Sequence, residues 1–459
     1  MQRVRIGALA LTLTVTLAAC GSGRSIDNAT PSSGGDPTTT TADACAKESP
    51  KATEIGVSDS EITIAVTADT GSPIKPGLFQ GSVDAIEAWA EYKNANGGLA
   101  CRKIDVKVFD SKLSPDEAKN SLTTACGEAF ALVGTTALFL NDVAPIEKCK
   151  DQAGAATGIT DFAVLQTEPA QQCSQWDFAV LPGQGQCPYS GKGERDFLVS
   201  DGPFQYYLNE FGKDALHGVW VVPADLPSTI SSSMPGFRYS QELGIKLDKE
   251  FGASGLSPQS AYTPFVQAIK DNKATYARVG LDYSGTVHLR KESLVQGVDT
   301  VKVWDCSVQC YDKRLLSEGG AAVEGQYVWL TILPLEDAGS NATLDALIKY
   351  NSKPDGFGIQ AWAAAEAFAA SVESVVAADG VNGLTRAAIL EAARNLHDFD
   401  AGGLIPETDV GGKKGSHCYV MMQVVDGKFK RVEPTAAGTF NCDGKTETFR
   451  IDASTAFKP

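Results

Sequence analysis

From residue 55 onward, apolar runs rich in β-branched residues alternate with stretches in which apolar residues recur every three to four positions. The run 61–67 has the composition of a strand, and the apolar positions of 79–90 are spaced as on one helix face. Two more apolar runs follow at 104–109 and 130–134, and the sequence Ser-Pro-Asp-Glu at 114–117 predicts a capped helix start between them. This alternation predicts a parallel sheet with helices on both faces.

A second alternation of the same kind begins after the Cys-, Gly- and Pro-rich stretch 183–193. It predicts a second α/β lobe, followed by a long Ala-rich helix over about 358–378 and a shorter one over 385–395. Asp426-Gly427 lies between two strand-like runs and predicts a hairpin, so the chain should end in antiparallel strands. The strand runs of this half are 218–222, 277–281, 298–304 and 325–330.

The N-terminus carries a short apolar segment behind two basic residues. Arg3 and Arg5 precede the run 6–17, which is too short to span a membrane and ends in Leu-Ala-Ala-Cys at 17–20. This layout predicts a lipoprotein signal peptide over 1–19 and lipidation of Cys20, which anchors the protein to the outer face of the cell membrane without spanning it. The alternative is an ordinary secretory signal with a chance cysteine.

The residues after Cys20 are almost entirely Gly, Ser, Thr, Pro and Asp as far as about Ala44. Such a segment buries too little apolar surface to offset the entropy of ordering. We interpret 20–50 as the lipidated cysteine and a flexible linker, which separates a globular body from the lipid surface.

Charge, histidine and cysteine content limit which ligands and covalent links the protein is expected to have. The formal net charge of −16 argues against binding to nucleic acid through a basic patch. The four histidines are scattered and no CxxC occurs, so neither a metal site nor a cofactor is expected. Ten of the eleven cysteines remain after Cys20, which predicts five disulfides in an exported chain. Sequence does not fix their connectivity; sequential neighbours would pair as Cys45–Cys101, Cys126–Cys149, Cys173–Cys187, Cys306–Cys310 and Cys418–Cys442.

Several segments, in the right order, resemble the type I periplasmic binding proteins, in the leucine/isoleucine/valine-binding branch of ABC-importer solute-binding proteins. The segments that carry the resemblance are 55–64, 94–99, 102–104, 109–118, 131–134, 262–270 and 323–328. The family implies two Rossmann-like lobes with parallel sheets, joined by three hinge crossings, and a solute trapped when the lobes close. It also implies a monomer that delivers its solute to ABC permease subunits in the membrane.

On this basis the chain divides into two lobes that each use two segments. Lobe 1 is expected over 55–182 and 326–415. Lobe 2 is expected over 183–325 and 416–459, the latter including the C-terminal strands.

The ligand of an open α/β sheet sits beyond the carboxyl ends of its strands, so the residues that follow each strand are candidate contacts. In lobe 1 these are Asp69, Thr70, Ser72, Thr135 and Thr136, and in lobe 2 they are Asp225, Ser228, Asp282, Tyr283, Ser284 and Asp305. Thr135 and Thr136 are placed at a helix N-terminus that would receive a carboxylate. An acidic residue would hold an ammonium group, and Tyr283 would form an aromatic wall.

Each candidate has a structural alternative. Ser72, Thr135 and Ser228 could act only as N-caps. Asp305 could be a solvated loop residue and Tyr283 a core aromatic. Trp220, Trp304 and Trp329 lie in apolar runs and are interpreted as core residues.

The pair Cys306 and Cys310 constrains the chain beside Asp305. Four residues of extended strand span about 13 Å, whereas a disulfide needs Cα atoms within about 7 Å. A bond between them therefore requires a tight turn after Trp304, which would hold Asp305 in a fixed binding loop.

Function can be limited further by motifs. The chain has no GxSxG, GxxxxGK[ST], GxGxxG or HExxH sequence, which disfavours a lipid-anchored enzyme. The leading hypothesis is capture of a small organic solute, either an amino acid or another small carboxylate or amphipathic compound, for an ABC importer. The alternative is an extracytoplasmic receptor that senses a solute without transporting it.

Overall fold

The computed structural model describes residues 45–72, 75–189, 193–213 and 215–452, without the side chains of residues 227, 228 and 231. The predicted signal peptide 1–19, the lipidated Cys20 and the linker up to residue 44 lie outside the described residues.

Lobe 1 is built on a five-stranded parallel sheet in the order β2-β1-β3-β4-β5. The predicted strand–helix alternation is therefore confirmed for this half. Its strands are β1 (Glu61–Ala68), β2 (Lys103–Asp110), β3 (Ala131–Val133), β4 (Asp161–Leu165) and β5 (Asp177–Leu181). Its first helices are α1 (Gln80–Ala95), α2 (Pro115–Glu128), α3 (Ala144–Glu147) and α4 (Pro169–Cys173).

Local signals explain where these helices begin and end. Ser114 caps α2, its side chain accepting a hydrogen bond from the Glu117 backbone N–H at 3.4 Å, and Pro115 occupies the first helical position, which needs no N–H donor. Beyond α1, Gly97 and Gly98 adopt positive φ angles of 103° and 83°, which glycine tolerates without steric cost.

Strands β4 and β5 share one sequence, Asp-Phe-Ala-Val-Leu, and pair in register. Asp161 therefore lies beside Asp177 and Phe162 beside Phe178. Both aspartates are fully buried, and desolvation raises the pKa of each; that of Asp177 reaches about 6.

Lobe 2 contains a seven-stranded sheet in the order β13-β12-β11-β10-β9-β7-β8 and a separate antiparallel pair of β6 and β14. Strands β7 to β11 are parallel, β12 runs antiparallel to β11, and β13 in turn runs antiparallel to β12. The strands are β6 (Glu194–Ser200), β7 (His217–Pro223), β8 (Lys246–Ala253), β9 (Tyr276–Val279), β10 (Val303–Cys306), β11 (Gln326–Leu330), β12 (Val420–Val425), β13 (Lys428–Glu433) and β14 (Thr446–Asp452).

The helices of lobe 2 surround this sheet: α5 (Gly202–Phe211), α6 (Pro227–Leu243), α7 (Thr263–Asn272), α8 (Tyr283–Val295) and α9 (Lys313–Gly319). The predicted hairpin joins β12 to β13. Asp426 and Gly427 have φ angles of 55° and 69°, the left-handed conformation that a two-residue hairpin turn requires.

The chain returns to lobe 1 for three helices, α10 (Ala342–Tyr350), α11 (Gly356–Asp379) and α12 (Arg386–Arg394). Helix α11 packs against α1 and against β3, β4 and β5. Among the described residues it is the one helix long and apolar enough to cross a membrane, but 67% of its most apolar window is buried inside the protein. Its position identifies it as a core helix of lobe 1.

Three crossings join the lobes: after β5, after β11 and between α12 and β12. The predicted boundary between 325 and 326 needs correction, because β11 pairs with β10 and β12 in the lobe 2 sheet. The chain leaves lobe 2 only after Leu330.

Five disulfides join neighbouring cysteines along the chain, and they are the five pairs expected from the sequence. They are Cys45–Cys101, Cys126–Cys149, Cys173–Cys187, Cys306–Cys310 and Cys418–Cys442. Cys306 ends β10, and a single 3-10 turn over Val308–Cys310 brings the Cα atoms of Cys306 and Cys310 to 6.1 Å. The chain therefore makes the tight turn that this pair requires.

Candidate ligand-binding cleft

Two adjoining cavities lie between the lobes. The hinge cavity, about 300 Å³, is lined by residues from all three crossings, among them Gln184, Thr331 and Ser416. The distal cavity, about 340 Å³, is lined by apolar residues of both lobes, including Leu138 and Leu281. Together they have the size and concave shape of a site for a small organic molecule.

The two cavities share one wall, so they form a continuous cleft. Residues that line both are Leu181, Pro182, Gly183, Gln184, Ser232, Ser233, Phe237, Arg278, Ser307 and Val308. Most of these lie at the end of β5, on α6 and in the turn after β10. The carboxyl ends of strands from both lobes thus face each other across the cleft, as the sequence predicts for this fold.

Arg278 is the charged residue of the shared wall. It lies on β9 directly opposite Asp305 on β10, and its Nη1 donates to Asp305 Oδ2. Asp305 also accepts hydrogen bonds from Tyr207 at 2.9 Å and Tyr276 at 2.5 Å. Burial disfavours the charged form of Arg278, but Asp305 overcomes this and raises the pKa of the guanidinium. The arginine is therefore a fixed, permanently charged part of the cleft wall.

Aromatic rings surround this guanidinium. Its carbon lies 4.5 Å from the ring centroid of Phe237, 5.6 Å from that of Trp329 and 5.9 Å from that of Phe204. These distances lie within the range of cation–π attraction, which strengthens when the cation is desolvated. The rings hold the side chain in place and give the hinge cavity apolar walls.

Of the eleven predicted contacts, the structure brings Asp225 and Asp282 to the cleft; both line the distal cavity. Asp225 is exposed and accepts hydrogen bonds from Ser254 Oγ at 2.6 Å and the Gly255 N–H. Asp282 caps α8 and forms an ion pair with Lys75 of lobe 1. This pair joins the two lobes across the cleft.

Asp69 has a structural role, so its predicted contact with solute needs correction. Its side chain is buried and accepts hydrogen bonds from Ser111 Oγ at 2.6 Å, the Leu113 N–H at 2.7 Å and the Leu138 N–H at 2.8 Å. It therefore ties together the segments that follow β1, β2 and β3. Desolvation raises the pKa of this carboxyl, although these hydrogen bonds oppose the shift.

The helix expected to start at Thr135 and Thr136 is not there. The segment after β3 is irregular as far as α3, a four-residue helix that begins at Ala144. Both threonines are fully buried: the Thr135 hydroxyl donates to Asp161 Oδ1 at 2.8 Å, and the Thr136 N–H donates to the Thr67 carbonyl. Neither lines either cavity.

The other lobe 1 candidates also lie outside the cavity walls. Thr70 donates its backbone N–H to Asp110 Oδ1, and Ser72 is buried, with its Oγ 3.4 Å from the Lys75 N–H. Neither side chain reaches the described cleft. The side chain of Ser228, the lobe 2 candidate on α6, lies outside the described residues.

The remaining lobe 2 candidates, Ser284, Tyr283 and Asp305, contact other protein residues and do not line the cleft. Ser284 accepts from Lys75 Nζ at 3.0 Å, which supports the pair with Asp282. Tyr283 is 8% exposed and packs in the core with its hydroxyl on Glu318, so the core alternative holds. Asp305 is fully buried behind Arg278 and does not line the cavities. Asp305 lies within β10 and is buried, so neither the predicted solute contact from a binding loop nor the alternative of a solvated loop residue holds.

Two important wall residues were missed. Arg278 follows Ala277 and precedes Val279 in a buried strand, and a charged residue in such a run is a signal that sequence alone offers. Trp329, interpreted as core, lines the hinge cavity because it lies on β11 close to the second crossing. Trp220 is buried as predicted.

Among the described residues, no group of three or more His, Cys, Asp or Glu side chains is arranged to hold a metal ion. The polar chemistry of the cleft is therefore that of hydrogen bonds and paired charges.

Comparisons with known proteins agree with this architecture. Residues 238–428 match the family model of periplasmic binding proteins. A search of curated proteins found no match.

Solved structures with the same fold include a fatty acid ABC transporter substrate-binding protein from Thermomonospora curvata, with a TM-score of 0.63 and 16% identity over 89% of this chain and 96% of that one. The leucine-binding protein LivK from Thermotoga maritima has a TM-score of 0.60 and 17% identity over 81% and 97%. An ABC transporter substrate-binding protein from Aeropyrum pernix has a TM-score of 0.63 and 12% identity over 83% and 98%. At these identities the likeness establishes the fold.

Proposed function

We propose that this chain, of which residues 238–428 match the periplasmic binding protein family model, captures a small organic solute between its lobes for delivery to an ABC importer. The solute is an amino acid or another small carboxylate or amphipathic compound. The observation that carries the proposal is the continuous cleft, whose wall combines residues of both lobes around Arg278.

The cleft suits reversible capture because its distal end is closed by one partly exposed ion pair. Lys75 of lobe 1 meets Asp282 and Ser284 of lobe 2 at the distal cavity, while the three crossings lie at the other end. A solute that touches both walls binds the closed state better than the open one and shifts the population toward closure.

We further propose that Cys20 is lipidated and that the linker holds the binding body near the membrane that contains the permease. The support is the Leu-Ala-Ala-Cys sequence behind the basic and apolar segments. Cys20→Ser should abolish incorporation of labelled palmitate and release the protein or leave it unprocessed. Labelling that survives this substitution would disprove the anchor.

Solute capture is tested by thermal-shift screening of the purified protein against amino acids, aromatic acids and amphipathic compounds, followed by small-angle scattering with each hit. The radius of gyration should fall at saturating solute. Ser233→Trp places a large side chain in the wall shared by both cavities and should abolish binding. Asn120→Trp, on the exposed surface of α2, is the matched control and should bind normally. If Ser233→Trp binds the same solute with the parent affinity, the cleft is not the site.

A further inference from the structure

The hinge cavity is lined by polar side chains that have buried atoms without hydrogen-bond partners among the described residues. Gln360, which is fully buried in the second turn of α11, has neither its Nε2 nor its Oε1 paired. The same is true of Gln184 Oε1, Trp329 Nε1 and Arg278 Nε. Buried polar atoms are costly when unpaired, so this concentration in one cavity points to a bound group that supplies both donors and acceptors.

Most charges that line the cleft, by contrast, already have charged partners; the exception is Asp225, which is exposed at the distal cavity and accepts only from Ser254 and Gly255. Arg278 is paired with Asp305, and Lys75 with Asp282. Lys413 donates to the backbone carbonyls of Gln172 and Ser174, and the negative charge that acts on it is that of Asp177. The carboxylate of an amino acid or of a fatty acid would find no free cation in these pairs, so it would bring an uncompensated negative charge into a largely buried site.

The distal cavity is mainly apolar. Its walls include Leu78, Phe79 and Leu138 of lobe 1 and Leu226 and Leu281 of lobe 2. Because it continues into the hinge cavity through the shared wall, one molecule can extend through both. The natural orientation places an apolar chain in the distal cavity and a polar head in the hinge cavity.

Resting on the proposed solute-binding role, we propose that the cleft selects an amphipathic solute with an uncharged, amide-type head and an apolar tail. A primary amide offers a carbonyl acceptor to the N–H groups of Trp329 and Gln360, and N–H donors to the amide oxygens of Gln360 and Gln184. A carboxylate is acceptor-only and charged. The amide head is therefore the group that complements the unpaired atoms without adding charge.

The proposal is tested with octanamide, octanoate and leucine as probes, using isothermal titration calorimetry at neutral pH and the quenching of tryptophan fluorescence. Octanamide and octanoate have the same chain length and nearly the same shape, so their difference isolates the head group. Octanamide should bind at least about tenfold more tightly than octanoate, and leucine should not bind, since each lost hydrogen-bond pair or unpaired charge costs on the order of a tenfold change in affinity.

Gln360→Leu tests the head-group contact. Leucine has a similar size and removes both unpaired atoms, so the ligand-free variant should be at least as heat-stable as the parent, while octanamide affinity should fall about tenfold. Gln326→Leu is the matched control: Gln326 is also buried and its Oε1 is also unpaired among the described residues, but its Nε2 donates to the Trp304 and Tyr327 carbonyls and it lines neither cavity. That variant should lose stability and keep the parent's affinity.

The outcomes separate the two proposals. If octanoate binds as tightly as octanamide, if Gln360→Leu keeps the parent's affinity, or if leucine alone binds, the amide head is wrong while capture in the cleft stands. The amide head is also wrong if octanamide does not bind but another screened solute does, with an affinity that Ser233→Trp abolishes. Binding that Ser233→Trp leaves intact overturns capture in the cleft itself.

Discussion

Replacement of Asp305 by asparagine should destabilise lobe 2 far more than an ordinary polar substitution. Asp305 is the carboxylate that compensates Arg278, and it also receives the hydroxyls of Tyr207 and Tyr276. The side chain of Asp305 is fully buried and that of Arg278 is only 7% exposed. Asparagine keeps the size and one acceptor but leaves the guanidinium buried without a counter-charge.

The magnitude follows from that uncompensated charge. Breaking a buried ion pair by removing one partner costs about 3–5 kcal/mol, whereas replacing both partners by uncharged groups is often close to neutral. Asp305→Asn alone should therefore lower the free energy of unfolding by about 3–5 kcal/mol. The double variant Arg278→Met with Asp305→Asn should recover most of this loss, because the charge is gone and one tyrosine can still donate to the asparagine.

The assay is urea unfolding followed by circular dichroism, in which the midpoint should fall without a change in slope. Since the two lobes can unfold separately, hydrogen exchange of the amides in β9 and β10 assigns the loss to lobe 2. A fall of less than about 1 kcal/mol in the free energy of unfolding of Asp305→Asn would show that Asp305 is not needed to neutralise the buried Arg278. A double variant no more stable than Asp305→Asn would equally contradict the role of the uncompensated charge.

Three other predictions concern different parts of the molecule. Lys75→Met removes the ion pair between Lys75 and Asp282, so the radius of gyration of the ligand-free protein should increase. Solute binding should weaken by up to about fivefold. An unchanged scattering profile would contradict this prediction. Cys306→Ser with Cys310→Ser opens a very short loop, so the free energy of unfolding in urea should fall by only about 2 kcal/mol. Solute affinity should also fall, because the turn after β10 is part of the wall shared by both cavities. An affinity equal to that of the parent would contradict this role of the turn. Asp177 has a folded pKa of about 6, above its ordinary value of 3.8, so its contribution to stability is present below about pH 4 and is lost as the pH rises through 6. The stability of Asp177→Asn relative to the parent should therefore rise between about pH 4 and pH 7, and a constant difference in urea unfolding would exclude this titration.

Most of the fold could be predicted because its signals are local and repeated. The period of the apolar positions, the capped start of α2 and the Asp426-Gly427 turn each specify a short element, and the alternation of elements specifies parallel sheets. The boundary at 325 failed because β11 is as apolar as any other central strand. The sheet to which β11 belongs is decided by its pairing with β10 and β12. The sequence of β11 does not reveal these partners.

The cleft was harder to predict than the fold. The rule that ligands lie beyond strand ends located the right edge of each sheet, but it does not say which side chains turn inward. Asp69 follows β1 as predicted, yet three nearby donors draw its carboxylate into the protein. Arg278 lies within its strand, not after it, and reaches the cleft through the length of its side chain. Its pairing with Asp305 depends on the register of β9 and β10.

The identical strands β4 and β5 create an ambiguity that the native structure conceals. If β4 and β5 exchanged positions in the sheet, each face of the sheet would carry the same side chains as before. The side chains of the two strands therefore do not favour the native order over the exchanged one. The distinction must come from what flanks them, and Cys173–Cys187 encloses β5 but not β4. The Cys173–Cys187 bond therefore distinguishes two otherwise identical strands and belongs to the one at the edge of the sheet.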